Sequence, residues 1–214
     1  LVLVLLFGGA GFWVGINGGS GLGPTSATAS EAAAGIAVVP FDVRGEGLEI
    51  WREGMMDLLS NNLDGVGGFR TIDARTVMAR WQDHVGEGNR ADLTTTLRVA
   101  ATTGALYALE GSVVGLGTQV RLSANIYDLG TERELAQASV EGPADEVLRL
   151  VDELAVAIMR DMLRAVGREG AGDLNAETLT TTSLPALRAF LEGESHYRRG
   201  RFAEAVQEYE RAVA

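Results

Sequence analysis

The sequence predicts a small α/β domain with a mixed β-sheet, a long helix that covers the sheet, and an α-helical hairpin after it. Residues 36–41 form a short apolar run rich in β-branched residues and bounded by turn formers, which is typical of a buried strand. Residues 119–127 alternate polar and apolar side chains, which is typical of a half-exposed antiparallel strand. Residues 143–167 carry an apolar stripe at helical spacing.

Composition excludes several classes of function. The chain has 214 residues, enough for one domain with extra segments, and its 46% apolar content supports a real core. A net charge of -11 argues against nucleic acid as a partner, since phosphate binding needs clustered basic residues. There is no cysteine and the two histidines lie far apart, so we predict no disulfide, no metal site and no cofactor.

Residues 1–16 carry no charge and predict a transmembrane helix. At ~1.5 Å per residue this stretch spans roughly 24 Å, whereas a bilayer core needs ~20 residues, so we expect its first turn to be missing. A cleaved signal peptide is the alternative. No basic residue precedes Arg44, so the positive-inside rule predicts a single-pass inner-membrane protein whose later residues lie in the periplasm. Residues 17–35 have the composition of a flexible linker.

The α/β domain is predicted to span residues 36–167. Its first half reads β-α-β-α-α-β, the pattern of parallel strands joined by right-handed crossovers. Asp73 is placed to cap the second helix. The predicted elements are a first, central strand at 36–41, a helix at 50–63, a strand at 69–72, helices at 74–81 and 93–101, and a strand at 105–109.

The pattern changes at Gly111 to antiparallel strands. They are predicted at residues 112–116, 119–127 and 132–140, and the long helix is predicted to begin with Pro143 at its first position. A second linker, residues 168–182, separates this domain from a helix pair at residues 183–214. The run Arg198-Arg-Gly-Arg201 is predicted to form an exposed turn in that pair.

Three segments of the α/β domain resemble the TolB amino-terminal-like domain. They are Val38-Val-Pro-Phe-Asp42, the helix carrying Trp51-Arg-Glu-Gly54, and Leu109-Glu-Gly-Ser-Val113 with the strand that follows it. The resemblance covers roughly residues 35–167, although the usual Asn-rich loop after the first strand is a shortened Arg44-Gly-Glu-Gly47 here. This family is an α/β module found outside the membrane in many bacterial signalling proteins.

The helix pair resembles one tetratricopeptide repeat. The matching small and aromatic positions are Gly193, Tyr197, Gly200, Phe202, Ala205, Tyr209 and Ala212, while the usual early tryptophan is absent. About three repeats are needed for a stable stack, so we expect the array to continue beyond residue 214.

Together the two resemblances imply a cytoplasmic serine/threonine kinase, winged-helix regulator or cyclase upstream. We therefore predict a non-enzymatic extracytoplasmic region that senses or binds proteins within a membrane-anchored bacterial signalling protein. Its partners would be proteins or peptides bound by the repeats and the lipid bilayer around residues 1–16. The alternative is an anchored envelope-assembly scaffold without signalling output.

The sequence predicts no catalytic, cofactor-binding or metal-binding residue. Asp42 and Glu110 end two predicted parallel strands, and open α/β sheets bind ligands beyond the carboxyl ends of their strands. These two residues are the candidate ligand edge of the sheet, and an enzyme that uses both carboxylates for acid–base or metal chemistry is a further alternative.

Overall fold

Six strands and six α-helices occupy the part of the chain that the computed structural model describes, residues 34–86, 88–168 and 184–213. They are β1 (Ala34–Val38), β2 (Asp42–Arg44), α1 (Trp51–Leu63), β3 (Phe69–Thr71), α2 (Ala74–His84), α3 (Leu93–Ala101), β4 (Tyr107–Leu116), β5 (Gln119–Asp128), β6 (Arg133–Pro143), α4 (Val147–Ala165), α5 (Leu184–Arg198) and α6 (Phe202–Val213). All of them belong to one compact unit.

No helix among these residues is long and apolar enough to cross a bilayer. The predicted membrane helix at residues 1–16 lies outside the described residues, as does nearly all of both predicted linkers. The first linker was predicted to reach residue 35, but β1 already begins at Ala34.

The strands form one mixed sheet in the order β3-β1-β4-β5-β6, and β2 also pairs with β4. β1 pairs in parallel with β3 on one side and with β4 on the other, and β2 pairs in parallel with β4. The pairs β4–β5 and β5–β6 are antiparallel. The predicted mixed sheet is therefore confirmed. The prediction that the first strand is central is wrong: β4 occupies the centre, because its 10 residues pair with β1 and β2 along one edge and with β5 along the other.

A break at Pro40 divides the predicted strand at 36–41. Proline has no N–H for the ladder, so pairing stops there. Val39 still donates to the carbonyl of Leu109, but the N–H of Phe41 donates to the carbonyl of Arg52 on α1. Pairing resumes at Asp42, which lies opposite Ser112 of β4. The detour keeps Phe41 fully buried and fixes the start of α1 against the sheet.

Two boundaries in the second half of the sheet differ from the prediction. The strands predicted at 105–109 and 112–116 are one strand, β4, which runs through Gly111 without interruption. Pro143 ends β6 opposite Gln119 and does not start the long helix, because its ψ of 140° is extended. A single 3-10 turn, Ala144–Glu146, leads into α4.

Helix α4 covers the antiparallel part of the sheet and packs on β5, β6 and α1. Burying one large aliphatic side chain contributes about 1.5–3 kcal/mol, so this stripe is a major part of the core. The predicted stripe is confirmed, since all of its members are buried: Val147, Leu150, Val151, Leu154, Ile158 and Met162.

Candidate functional site

The two carboxylates predicted at the sheet edge line one pocket. Asp42 begins β2 and Glu110 lies in β4, and both line a cavity of about 320 Å³ that also contacts Trp81 and Arg52. The parallel pairing of β2 with β4 brings these elements together. Both residues lie along paired strands and not beyond strand ends, and their role as a ligand edge stays a prediction.

Each of these carboxylates already has a partner within the fold. The Asp42 Oδ1 lies 2.6 Å from Arg90 Nε, and its Oδ2 accepts a hydrogen bond from Arg44 Nε at 3.0 Å. The Glu110 Oε1 accepts from Asn125 Nδ2 at 2.7 Å. A cation that entered this pocket would have to compete with these guanidinium groups for Asp42. Across the described part of the chain, no group of three or more His, Cys, Asp or Glu side chains is arranged to hold a metal ion.

A larger site lies where the helix pair α5–α6 contacts α1. The guanidinium of Arg198 lies in the centre of this contact with only 4% of its side chain exposed. Its Nη1 donates to both oxygens of Asp57, at 3.1 and 2.9 Å, and its Nη2 donates to Glu53 Oε2 at 3.0 Å. Arg199 Nη2 donates to the other Glu53 oxygen at 2.5 Å. The prediction that this arginine run forms an exposed turn is therefore wrong for Arg198.

Burial and charge act against each other in this cluster. Burial raises the pKa of Asp57 to about 6, while the Arg198 guanidinium limits the rise. Burial also opposes the charge of Arg198, but Asp57 and Glu53 outweigh it and the pKa of Arg198 is raised. The cluster therefore favours the charged form of Arg198, whereas burial disfavours the charged form of Asp57.

Apolar packing surrounds the ion cluster. Gly54 of α1 lies directly below Leu191 of α5, and a Cβ at Gly54 would come within 2.7 Å of the Leu191 Cδ1. Leu187 and Leu191 are buried in the same core as the α/β domain. The Arg188 guanidinium lies 5.9 Å from the centroid of the Trp51 ring. Helix α5 is thus continuous with the core of the α/β domain.

A groove of about 580 Å³ opens beside this contact. Its walls come from α1, from the β3–α2 turn and from the helix pair, and they combine carboxylates with aromatic rings. The carboxylates are Asp57, Asp64, Asp73 and Glu194, the aromatic side chains are Phe190, Tyr197 and Tyr209, and the cations are Arg75 and Arg198. We call this the interhelix groove.

The geometry of the groove has clear local causes. Asp73 accepts hydrogen bonds from the N–H groups of Arg75 and Thr76, so it caps α2 as predicted and fixes the turn after β3. Tyr209 of α6 donates to Glu194 of α5 at 2.7 Å, which orients both side chains at the rim. Burial, together with this hydrogen bond, raises the pKa of Tyr209 to about 12, so the phenol stays protonated and donating.

Sequence reasoning missed the interhelix groove, although α1 carried a signal. Glu53 and Asp57 are four residues apart and therefore lie on one helical face, next to buried residues. Two acids at this spacing, with no basic residue three or four positions away on the same helix, indicate a cation from another element. The arginine pair after the predicted α5 was the available candidate.

Comparisons with known proteins point to the TolB-related part of the prediction. No family model matches the chain. The chain is 29% identical over 126 residues to the Tol-Pal system protein TolB of Pseudomonas entomophila (strain L48), a match that covers 59% of this chain and 27% of that protein. The chain thus spans about a quarter of the length of this curated relative. The similarity supports a TolB-related domain, whereas the tetratricopeptide array and an upstream kinase stay predictions.

Among solved structures, the comparison matched TolB from Acinetobacter baumannii, at 16% identity and a TM-score of 0.41, covering 61% of this chain and 28% of that one. The LpoB C-terminal domain from Escherichia coli is 17% identical with a TM-score of 0.41, covering 51% and 82%.

Proposed function

We propose that this chain is a non-enzymatic protein-interaction module of the bacterial envelope, anchored in the membrane and acting as a scaffold outside the cytoplasm. One observation carries the proposal: α6 presents a row of exposed apolar side chains. Phe202, Val206 and Val213 lie at spacings of four and seven residues, which places them on one helical face, and Phe202 and Val206 are 61% and 54% exposed. We call this row the outer stripe.

An exposed apolar row on a helix is typical of a binding surface. Helix α6 packs on α5 through the buried Ala205, while more than half of Phe202 and of Val206 stays exposed in the described part of the chain. Contiguous exposed apolar patches on folded proteins mark contacts with other proteins or membranes. The similarity to a Tol-Pal system protein supports an envelope setting for that contact.

The repeat resemblance fits the same proposal. A Cβ on Gly193 of α5 would come within 2.6 Å of the Tyr209 ring on α6. Both residues are among the positions that match the tetratricopeptide repeat, and the small glycine lets the two helices approach closely. Repeat arrays of such helix pairs use their concave surfaces for binding. The signalling output stays a prediction of the sequence, and the scaffold role does not require it.

Photo-cross-linking in cells tests the interaction role. The full-length protein would carry p-benzoylphenylalanine in place of Val206 in its own cells, with Leu93 of α3 as the control position because it is also exposed and apolar. We expect an adduct with a second protein from position 206 and none from position 93. No intermolecular adduct at 206, or equal adducts at both positions, would overturn the proposal.

The placement outside the cytoplasm is tested separately. These 214 residues contain no cysteine, so Glu210→Cys on exposed α6 adds a labelling site to this stretch, and the unsubstituted protein is the control. We expect a membrane-impermeant maleimide to label this site in cells whose outer membrane has been permeabilised. Labelling only after lysis of the inner membrane would contradict the placement.

A further inference from the structure

The interhelix groove combines an excess of negative charge with aromatic walls. In its lining the carboxylates of Asp57 and Glu194 face the single guanidinium of Arg198, and Asp64 is paired with Arg70. Asp73 adds a carboxylate whose ion pair with Arg75, at 3.6 Å, is largely exposed and so weakly held. A positive group that enters the groove would therefore meet carboxylates that the fold does not fully neutralise.

The walls of the groove favour a cation that carries apolar surface. Phe190 and Tyr209 pack against each other with ring centroids 6.0 Å apart, and both line the groove with Tyr197. Aromatic faces attract guanidinium and ammonium groups, and arginine also stacks on them. Ser60 lines the groove as well, is 6% exposed, and its Oγ has no hydrogen-bond partner in the described part of the chain. A donor that reaches this hydroxyl would satisfy it.

The groove also continues into the outer stripe. The ring of Tyr197, on the groove wall, contacts the ring of Phe202 with centroids 5.6 Å apart. A partner that covers the stripe on α6 can therefore reach the groove without leaving the protein surface. The net charge of -11 on the chain favours a basic partner over an acidic one.

We propose that the interhelix groove binds a basic segment of the partner protein, with an arginine or lysine side chain inserted between Glu194 and the aromatic wall. The inference rests on the proposed interaction function and names the chemistry of the partner. The apolar part of that segment covers the outer stripe, while its cation meets the carboxylates of the groove. Specificity would come from the cation, since an apolar stripe alone discriminates little between partners.

The test is fluorescence anisotropy with a labelled Gly-Arg-Gly-Arg-Gly peptide and its citrulline counterpart, which keeps the shape of arginine and removes its charge. Two variants remove charge from the groove without removing hydrogen-bond capacity: Glu194→Gln, which still accepts from Tyr209, and Asp73→Asn, which still caps α2. Their matched controls are Glu192→Gln on α5 and Asp92→Asn, the cap of α3, neither of which lines the groove.

We expect the arginine peptide to bind and the citrulline peptide to bind at least about tenfold more weakly, because the cation provides the contact. Each groove variant should weaken binding about threefold, as expected for one partly exposed charge, and each control should leave it unchanged. Equal binding of both peptides, or equal loss in groove and control variants, would overturn the inference. Because adduct formation at position 206 does not involve these groups, the envelope interaction could hold while this inference fails.

Discussion

Arg198 of α5 and Asp57 of α1 are 141 positions apart in the sequence, yet Nη1 of the arginine lies 3.1 and 2.9 Å from the two carboxylate oxygens. Both side chains are nearly inaccessible to water. The pair therefore joins the helix pair to the α/β domain at a point where both charges are largely shielded from water. The attraction within the pair contributes less to stability than the removal of one partner would cost, because the other charge would stay buried without a counter-ion.

Removing the cation should be strongly destabilising. We expect Arg198→Met to lower the free energy of unfolding by about 3–5 kcal/mol, because Asp57 would remain buried without a counter-ion and Glu53 would keep only Arg199. Urea denaturation followed by circular dichroism measures the loss. The control is Arg211→Met, whose ion pair with Glu208 involves an arginine that is 67% exposed and should contribute less than about 1 kcal/mol. Similar losses in both variants would contradict this account of the contact.

The stability of the protein should respond to the pKa of Asp57. Burial raises that pKa from 3.8 to about 6, so the folded state binds the proton more tightly than the unfolded state does. The stability that Asp57 contributes is therefore full below about pH 4 and falls as the pH rises to about 6. The change over this window is at most roughly 3 kcal/mol.

Comparison with Asp57→Asn isolates this effect. The free energy of unfolding of the wild-type protein, minus that of the variant, should decrease between pH 4 and pH 7 in urea titrations. Asp92→Asn provides a control of opposite sign, because hydrogen bonds from Thr95 lower the pKa of Asp92. The free energy of unfolding of the wild-type protein, minus that of Asp92→Asn, should increase as the pH rises toward 4. A flat difference for Asp57 would show that the carboxyl titrates as it does in the unfolded chain.

Gly111 should not tolerate a side chain. A Cβ there would come within 3.0 Å of the Phe41 ring and of the carbonyl oxygen of Ser123, and the backbone atom cannot move aside. We expect Gly111→Ala to cost about 1–3 kcal/mol, visible as a lower Tm. Gly130→Ala is the matched control, since its nearest contact would be an ordinary 3.4 Å to Asp128. An unchanged Tm for Gly111→Ala would show that Phe41 can repack.

Much of the α/β domain could be predicted from local patterns. The alternation in β5 and the stripe of α4 follow from periodicities of 2 and 3.6 residues, which depend only on burial of one face. Asp73 was predictable as a cap because a capping aspartate acts on N–H groups two and three residues away. Asp42 and Glu110 line one pocket, but they do so along the paired strands β2 and β4 and not at the strand ends from which they were predicted.

Features set by distant contacts could not be predicted in this way. The break at Pro40 depends on the N–H of Phe41 finding the carbonyl of Arg52, which no local pattern encodes. The burial of Arg198 depends on two acids on a helix far away in the chain, and in sequence the arginine run is indistinguishable from a solvated turn. The interhelix groove is formed by the contact between Arg198 and these acids. Because the sequence does not predict that contact, it does not predict the groove.

The central position of β4 has a consequence for how the protein folds. β4, β5, β6 and α4 are consecutive in the chain, so their contacts close only short loops, whereas β1 must pair with β4 across three α-helices and two further strands. We expect the stretch from Tyr107 to Ala165 to form first and to serve as a template onto which the amino-terminal strands assemble. Pulse-labelled hydrogen exchange should then protect amides of β5 before those of β1, and the reverse order would reject this sequence of events.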